Sequence, residues 1–261
     1  MGAVTGRDPW LRRFAPRPDA PARLVCFPHA GGAATAYAVL ARSLAPDGVD
    51  VVAVQPPGRQ DRISEAPAPD LHAMADAVTA ALLAAPGPAP VLFGHSMGSF
   101  VAYEVTRRLE AAGAAPVRLV VSARRAPSTM RGEDAHTRGD AALIAHLRTL
   151  GGPGSELLDN PSIREIVLPS VRADYTALAA HPLGDTSSVD TPITAFAPRS
   201  DPRCTVEEMH GWAAHTRGGF DLREFPGGHF YLGEHADLVR EALLDVLGTR
   251  RGDEEPSLHP G

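Results

Sequence analysis

The sequence contains no lysine: all 25 of its basic residues are arginine. With abundant alanine and proline, that is a compositional bias of the kind a GC-rich genome produces, and it carries no functional signal. Cysteine is almost absent too. The two present, Cys26 and Cys204, are far apart and fit neither a disulfide framework nor a C-x-x-C metal site. No apolar run approaches the roughly 18 residues that would span a bilayer. The first residues, M-G-A-V-T-G-R-D-P-W-L-R-R-F, lack the apolar h-region of a secretory leader, and Gly6 breaks the myristoylation pattern. A cytoplasmic protein without membrane contact is expected. A formal net charge of −6 argues against a general nucleic-acid binder. Neither G-x-G-x-x-G nor G-x-x-x-x-G-K-[ST] occurs, which speaks against a phosphate-cradling loop. No H-E-x-x-H or comparable histidine spacing occurs either, so no metal is expected.

What is present reads as a globular α/β chain. At 261 residues, 44% of them hydrophobic and 21% charged, it can bury a substantial core. Short apolar runs at Leu24 to Pro28, Val49 to Val54, Pro90 to Phe93 and Val117 to Ser122 are continuous and not alternating, as expected of parallel strands covered on both faces. Helical spacing fills Ala33–Ala45, Asp70–Ala85 and Met97–Ala112 between them. Two later strands, Pro192 to Ala197 and Phe220 to Phe225, are accompanied by helices near Thr205–His215 and His235–Leu247. Alternating β and α elements predict a mostly parallel, doubly wound sheet. The alternation stops between about Arg124 and Asp190, where only helical patterns occur. An insertion of that length predicts a functional cap. Gly151, Gly152 and Gly154 within it suggest a mobile joint, or simply a helix terminus. The expected organisation is therefore a core in two parts, 1–123 and 191–248, a helical lid at 124–190, and a polar tail without structure at 249–261.

One pentapeptide, G-H-S-M-G at Gly94 to Gly98, has the form G-x-S-x-G. On its own it is a weak signal. Here a strand-like run precedes it and an amphipathic helical pattern follows, which is the context of a nucleophile on a sharp strand-to-helix elbow. Met97 would then offer its backbone N–H at a helix N-terminus, where unpaired donors and the helix dipole favour an oxyanion. A serine hydroxyl needs a base and a group that orients the base. Eleven histidines make the mere presence of one uninformative; position discriminates. His229 in F-P-G-G-H-F follows the last predicted strand, and Asp201 in A-P-R-S-D-P follows the one before. Both would emerge at the sheet edge where Ser96 stands. Asp190, Asp221 and Asp174 are worse placed, and His210 and His215 fall on a predicted helix, as surface residues. His95 reads as a space-filling side chain beside the elbow. A second oxyanion donor is expected from F-P-H-A-G-G-A, where Gly31 and Gly32 allow close backbone approach; Ala30 is the candidate, with His29 either lining the pocket or structural.

These residues closely resemble the type II thioesterases of polyketide and nonribosomal peptide assembly lines. The matching pieces are L-V-C-F-P-H-A-G-G, Q-P-P-G-R-Q-D-R (Gln55 to Arg62), F-G-H-S-M-G, S-A-R-R-A-P (Ser122 to Pro127), V-R-A-D-Y (Val171 to Tyr175) and F-P-G-G-H-F. They run in order over nearly the whole chain. The resemblance implies an α/β-hydrolase fold with an inserted lid. It implies hydrolysis, without cofactor, of acyl groups from the phosphopantetheine arm of acyl or peptidyl carrier proteins, to clear stalled or misloaded units. It carries Ser96, His229 and Asp201 over as a catalytic triad, and Ala30 and Met97 as the oxyanion hole. One departure stands out: the family usually has a glycine a few residues before the triad aspartate, whereas this chain has Pro198 in that neighbourhood. Leu143, Leu147, Leu150, Ile163, Ile166, Val167 and Leu168 could line an acyl tunnel under the lid. A basic patch for an acidic carrier could come from Arg59 and Arg62, or from Arg124, Arg125 and Arg131. A monomer is the simplest expectation. The rival readings are a small-molecule carboxylesterase with the same triad and a non-hydrolysing receptor on the same fold.

Overall fold

The computed structural model describes residues 8–131, 134–152, 155–182 and 184–249. Gly154 of the suggested joint, residues 250–261 of the expected tail and the first seven residues lie outside them.

Among the described residues, six of the seven strands pair in parallel. These are β2 (Ala22–Phe27), β3 (Val49–Val54), β4 (Val91–His95), β5 (Arg118–Ser122), β6 (Ile193–Pro198) and β7 (Phe220–Phe225). β1 (Leu11–Arg12) adds antiparallel to β3, giving the order β1-β3-β2-β4-β5-β6-β7. This two-residue edge strand is too short to leave a sequence signal.

The continuous apolar runs divide by pleat. Val25, Val52 and Leu92 face one core with α2 (Leu71–Ala84) and α3 (Met97–Ala111). Leu24, Cys26, Val51 and Phe93 face the other, with α1 (Ala38–Leu44) and α7 (Ala236–Leu247). Every residue of β3 and β4 is buried, which is why those strands read as mostly hydrophobic; the one charge in them, Asp50, is paired with Arg13 and Arg23. Local signals set the helix starts. Asp70 caps α2 by accepting from Ala73 N at 2.7 Å. Asn160 caps α5 (Pro161–Ala180) by accepting from Ser162 N at 3.0 Å, with Pro161 at its first position.

Between β5 and β6 the chain builds the insertion from α4 (Asp140–Thr149), α5 and short 3-10 turns. Gly151 takes φ 68° just past the end of α4 and its N–H bonds Arg148 O at 3.1 Å; it terminates that helix. The short α6 (Val206–His210) precedes β7. His210 is exposed there, but His215, expected at the surface, is fully buried. Its two ring nitrogens lie 2.8 Å from Ser128 Oγ and 2.8 Å from Ser187 O. Both partners lie near the two ends of the insertion, a long-range contact which helical periodicity cannot see.

Candidate active site

The order of the sheet puts Ser96, Asp201 and His229 on one edge, because each directly follows the C-terminal end of a parallel strand: β4, β6 and β7. At Ser96 the backbone is held at φ 54°, ψ −121°, a conformation that L-residues rarely adopt. Its N–H is fixed by Ser122 O at 2.8 Å. The two flanking glycines are required by close approach. A Cβ on Gly94 would run into Gly98 O and Ser99 Cα, and one on Gly98 would run into Phe27 O. The crossing of strand, elbow and helix leaves no room for a side chain at either position.

His229 lies with Nε2 3.0 Å from Ser96 Oγ and Nδ1 2.8 Å from Asp201 Oδ2. All three side chains are buried. The other carboxylate oxygen of Asp201 accepts from Arg203 N at 2.8 Å. No glycine turn is needed to present Asp201. The β6–β7 ladder continues past the strands through Arg199 N to Phe225 O (2.9 Å) and Ser200 N to Gly227 O (3.0 Å), so the chain stays extended through Pro198.

The loop after β2 turns tightly at His29 to Gly32, closed by Gly32 N to His29 O at 2.8 Å. Neither Ala30 N–H nor Met97 N–H donates to a protein acceptor among the described residues. His29 packs edge-on to Phe230, ring centroids 4.9 Å apart. Burial, reinforced by the neighbouring His229 and Arg59, lowers the His29 pKa to about 4. Burial likewise holds His95 well below the usual histidine range. Its Nδ1 lies 2.9 Å from Ser122 Oγ, which in turn lies 2.8 Å from Tyr231 OH.

Over Ser96 opens a cavity of about 270 Å³. The insertion supplies most of its apolar wall through Leu147, Leu150, Leu157, Leu158, Ile163, Val167 and Val171, and the core adds His29, Ala30 and Phe230. Of the expected tunnel residues, Leu147, Leu150, Ile163 and Val167 line the cavity. Leu143 and Leu168 belong to the packed core instead, and Ile166 is 56% exposed.

Among known proteins, the family model described as thioesterase domain matches residues 22–248. The chain belongs to the thioesterase family. It is 42% identical over 242 residues to the probable cadicidin biosynthesis thioesterase of Streptomyces griseus, covering 93% of this chain and 67% of that one. It is 37% identical to thioesterase PikA5 of Streptomyces venezuelae, with 93% and 87% covered. Among solved structures, the type II thioesterase BorB of the borrelidin biosynthetic cluster superposes with a TM-score of 0.85 at 40% identity, covering 93% of this chain and 99% of that one. This thioesterase therefore has the α/β-hydrolase fold of the type II enzymes of polyketide and nonribosomal peptide clusters, and is a thioester hydrolase.

Two expectations for this thioesterase fail. Arg59 and Arg62 are 4% and 6% exposed and present no charge to a carrier protein. Arg59 forms an ion pair with Asp174, and Arg62 pairs with Glu65 while its guanidinium lies 4.6 Å from the Trp10 ring. Arg124 is buried as well, over Phe100 at 4.7 Å. Arg125 and Arg131 both pair with Glu208, and only Arg131 is largely exposed. A charge in a polar-looking motif reads as surface until tertiary structure supplies its buried partner. Asp174 is the residue that sequence reasoning set aside: in the lid helix it looked remote from the chemistry.

Among the described residues, Glu104, His181 and Asp185 place candidate metal-ligand atoms within 4.8 Å of one another. Glu104 is already neutralised by Arg107 at 3.0 Å and Arg108 at 2.6 Å, fixed positive charges that oppose a cation there. Among the described residues, no helix is long and apolar enough to cross a membrane.

Proposed function

We propose that Ser96, His229 and Asp201 form the catalytic triad, and that the substrate is an acyl group on the phosphopantetheine arm of an acyl or peptidyl carrier protein. The protein would thereby clear stalled or misloaded units from an assembly line. The observation that carries this reading is the unbroken hydrogen-bonded chain from Asp201 through His229 to Ser96, at the mouth of an apolar, lid-covered cavity.

His229 Nε2 takes the Ser96 hydroxyl proton as Oγ attacks the thioester carbonyl carbon. Asp201 holds the imidazole by its Nδ1–H and stabilises the charge it gains. His29 and His95 stay neutral at working pH and add no competing positive charge. The carbonyl oxygen becomes an oxyanion that accepts from Ala30 N–H and Met97 N–H. Its collapse breaks the C–S bond, and the sulfur leaves with the proton that His229 returns. A thiol of pKa about 8.5 is a good leaving group, so oxyanion formation is the demanding event. Water then repeats the sequence on the acyl-serine, releasing the carboxylic acid and restoring Ser96. The lid cavity would hold the acyl chain while the arm enters beside Ser96.

The test is release of acyl groups from an acyl-phosphopantetheinyl carrier protein by wild type and Ser96→Ala, with a matched oxygen ester alongside. Serine-dependent deacylation of the carrier, faster than ester cleavage, is the expected result. Ester cleavage with an untouched carrier would reassign the protein as a general esterase.

A further inference from the structure

Asp174 and Arg59 are 115 residues apart in the chain and meet in the interior, with side chains 3% and 5% exposed. Their pairing is bidentate, Nη1 to Oδ2 at 2.5 Å and Nη2 to Oδ1 at 2.8 Å. Both also reach the backbone of the loop after β2. Asp174 Oδ2 accepts from Gly31 N at 2.7 Å, and Arg59 Nη1 donates to Gly32 O at 3.2 Å. The lid helix sits directly on this loop: a Cβ on Gly31, whose φ is 76°, would run into the Val171 methyl.

A buried ion pair is a poor device for stability, since apolar residues of the same size often do as well. It is a good device for fixing geometry. A peptide unit is planar, so the direction of one of its groups fixes the other. In the unit joining His29 and Ala30, the carbonyl accepts from Gly32 N–H, and the Ala30 N–H must therefore point the opposite way. In the next unit the Gly31 N–H is turned onto Asp174. Among the described residues the Ala30 N–H is left without a protein acceptor, beside Ser96 at the cavity.

We infer that Asp174, together with Arg59, is a positioning residue for the oxyanion hole: a carboxylate on the lid helix sets the peptide planes that present Ala30 N–H to the reacting carbonyl. This rests on the reading of Ser96 as nucleophile and Ala30 as donor. It couples the seating of the lid to the chemistry, because the oxyanion loop is complete only when α5 lies against it.

The experiment compares wild type, Asp174→Asn, the charge-free pair Arg59→Met with Asp174→Leu, and Ser96→Ala. The probes are hexanoyl-N-acetylcysteamine and 4-nitrophenyl hexanoate, with thermal unfolding measured in parallel. Asn keeps a carbonyl oxygen for Gly31 N–H but gives up the charge that holds Arg59, so kcat should fall, though by no more than about tenfold. The charge-free pair should lose about 100-fold in kcat, the scale of one oxyanion donor. Its KM should stay within about threefold, and the loss should be equal on both probes, since both pass through the same oxyanion. Wild-type kcat in the folded double variant, or a loss confined to KM, would overturn the inference and leave the pair as a lid anchor. If the double variant does not fold, hydrogen exchange of residues 27–34 in Asp174→Asn decides. Faster exchange with lowered kcat supports the coupling, and unchanged exchange or unchanged kcat defeats it. Activity surviving in Ser96→Ala would defeat the triad reading itself, whereas loss there with an active double variant defeats only the positioning role.

Discussion

At the residue scale, Ser96 combines a strained backbone with a paired hydroxyl. Its φ of 54° is held by neighbours on β5 and α3. Strain of this kind costs about 1–3 kcal/mol and persists only where the surroundings over-determine it. Ser96→Ala keeps the backbone and removes the proposed nucleophile, so thioester hydrolysis should fall by roughly 10⁴- to 10⁶-fold. His229→Ala should fall comparably, and the double variant little further, because the two act as one unit; steady-state kcat checks this. The pentapeptide made Ser96 legible because an elbow needs small flanking residues. His229 and Asp201 were legible from strand order alone. Asp174 was not, since nothing in V-R-A-D-Y reveals that its partner is Arg59 on a distant loop.

At the element scale, the crossing of β4, the elbow and α3 over β2 leaves no tolerance at Gly98, where a methyl group would meet Phe27 O. Gly98→Ala should cost about 1–3 kcal/mol of overpacking, read as a lowered unfolding midpoint. Displacing Ser96 should also reduce kcat, by up to about 100-fold for a shift near 1 Å. The lid offers a different test. Val167 lines the cavity while Ile166, its neighbour in the chain, is 56% exposed. Val167→Trp should therefore shorten the acyl chains accepted, with hydrolysis of the longest falling most, and Ile166→Trp should leave the chain-length profile as it is. Helical periodicity located α4 and α5, but it did not say which side of each helix faces Ser96. That depends on how the two helices dock on the sheet edge, a long-range packing outcome.

At the scale of the whole molecule, buried histidines govern the response to acid. Burial lowers the pKa of His29, His95, His181 and His215, against about 6.5 in the unfolded chain. Between the lowered folded values and 6.5 the unfolded state binds more protons, so stability rises with pH through that interval and is lost as pH falls through it. Unfolding midpoints measured from pH 7.5 down to pH 4 should drop steeply below about 6.5. His181→Phe, which keeps a ring stacked on Phe100 (now 5.4 Å between centroids), should flatten part of the slope. The sequence by itself determined the parallel sheet, the helical insertion and the three residues of the hydrogen-bonded chain, because hydrophobic period, strand order and an elbow motif are local or ordinal properties. Only the tertiary structure decided the antiparallel edge strand, the burial of His215, Arg59 and Arg62, and the ion pair tying the helical insertion to the loop after β2. Those depend on which distant side chain fills the space next to a charge, and burying a charge is tolerable only when that partner is in place.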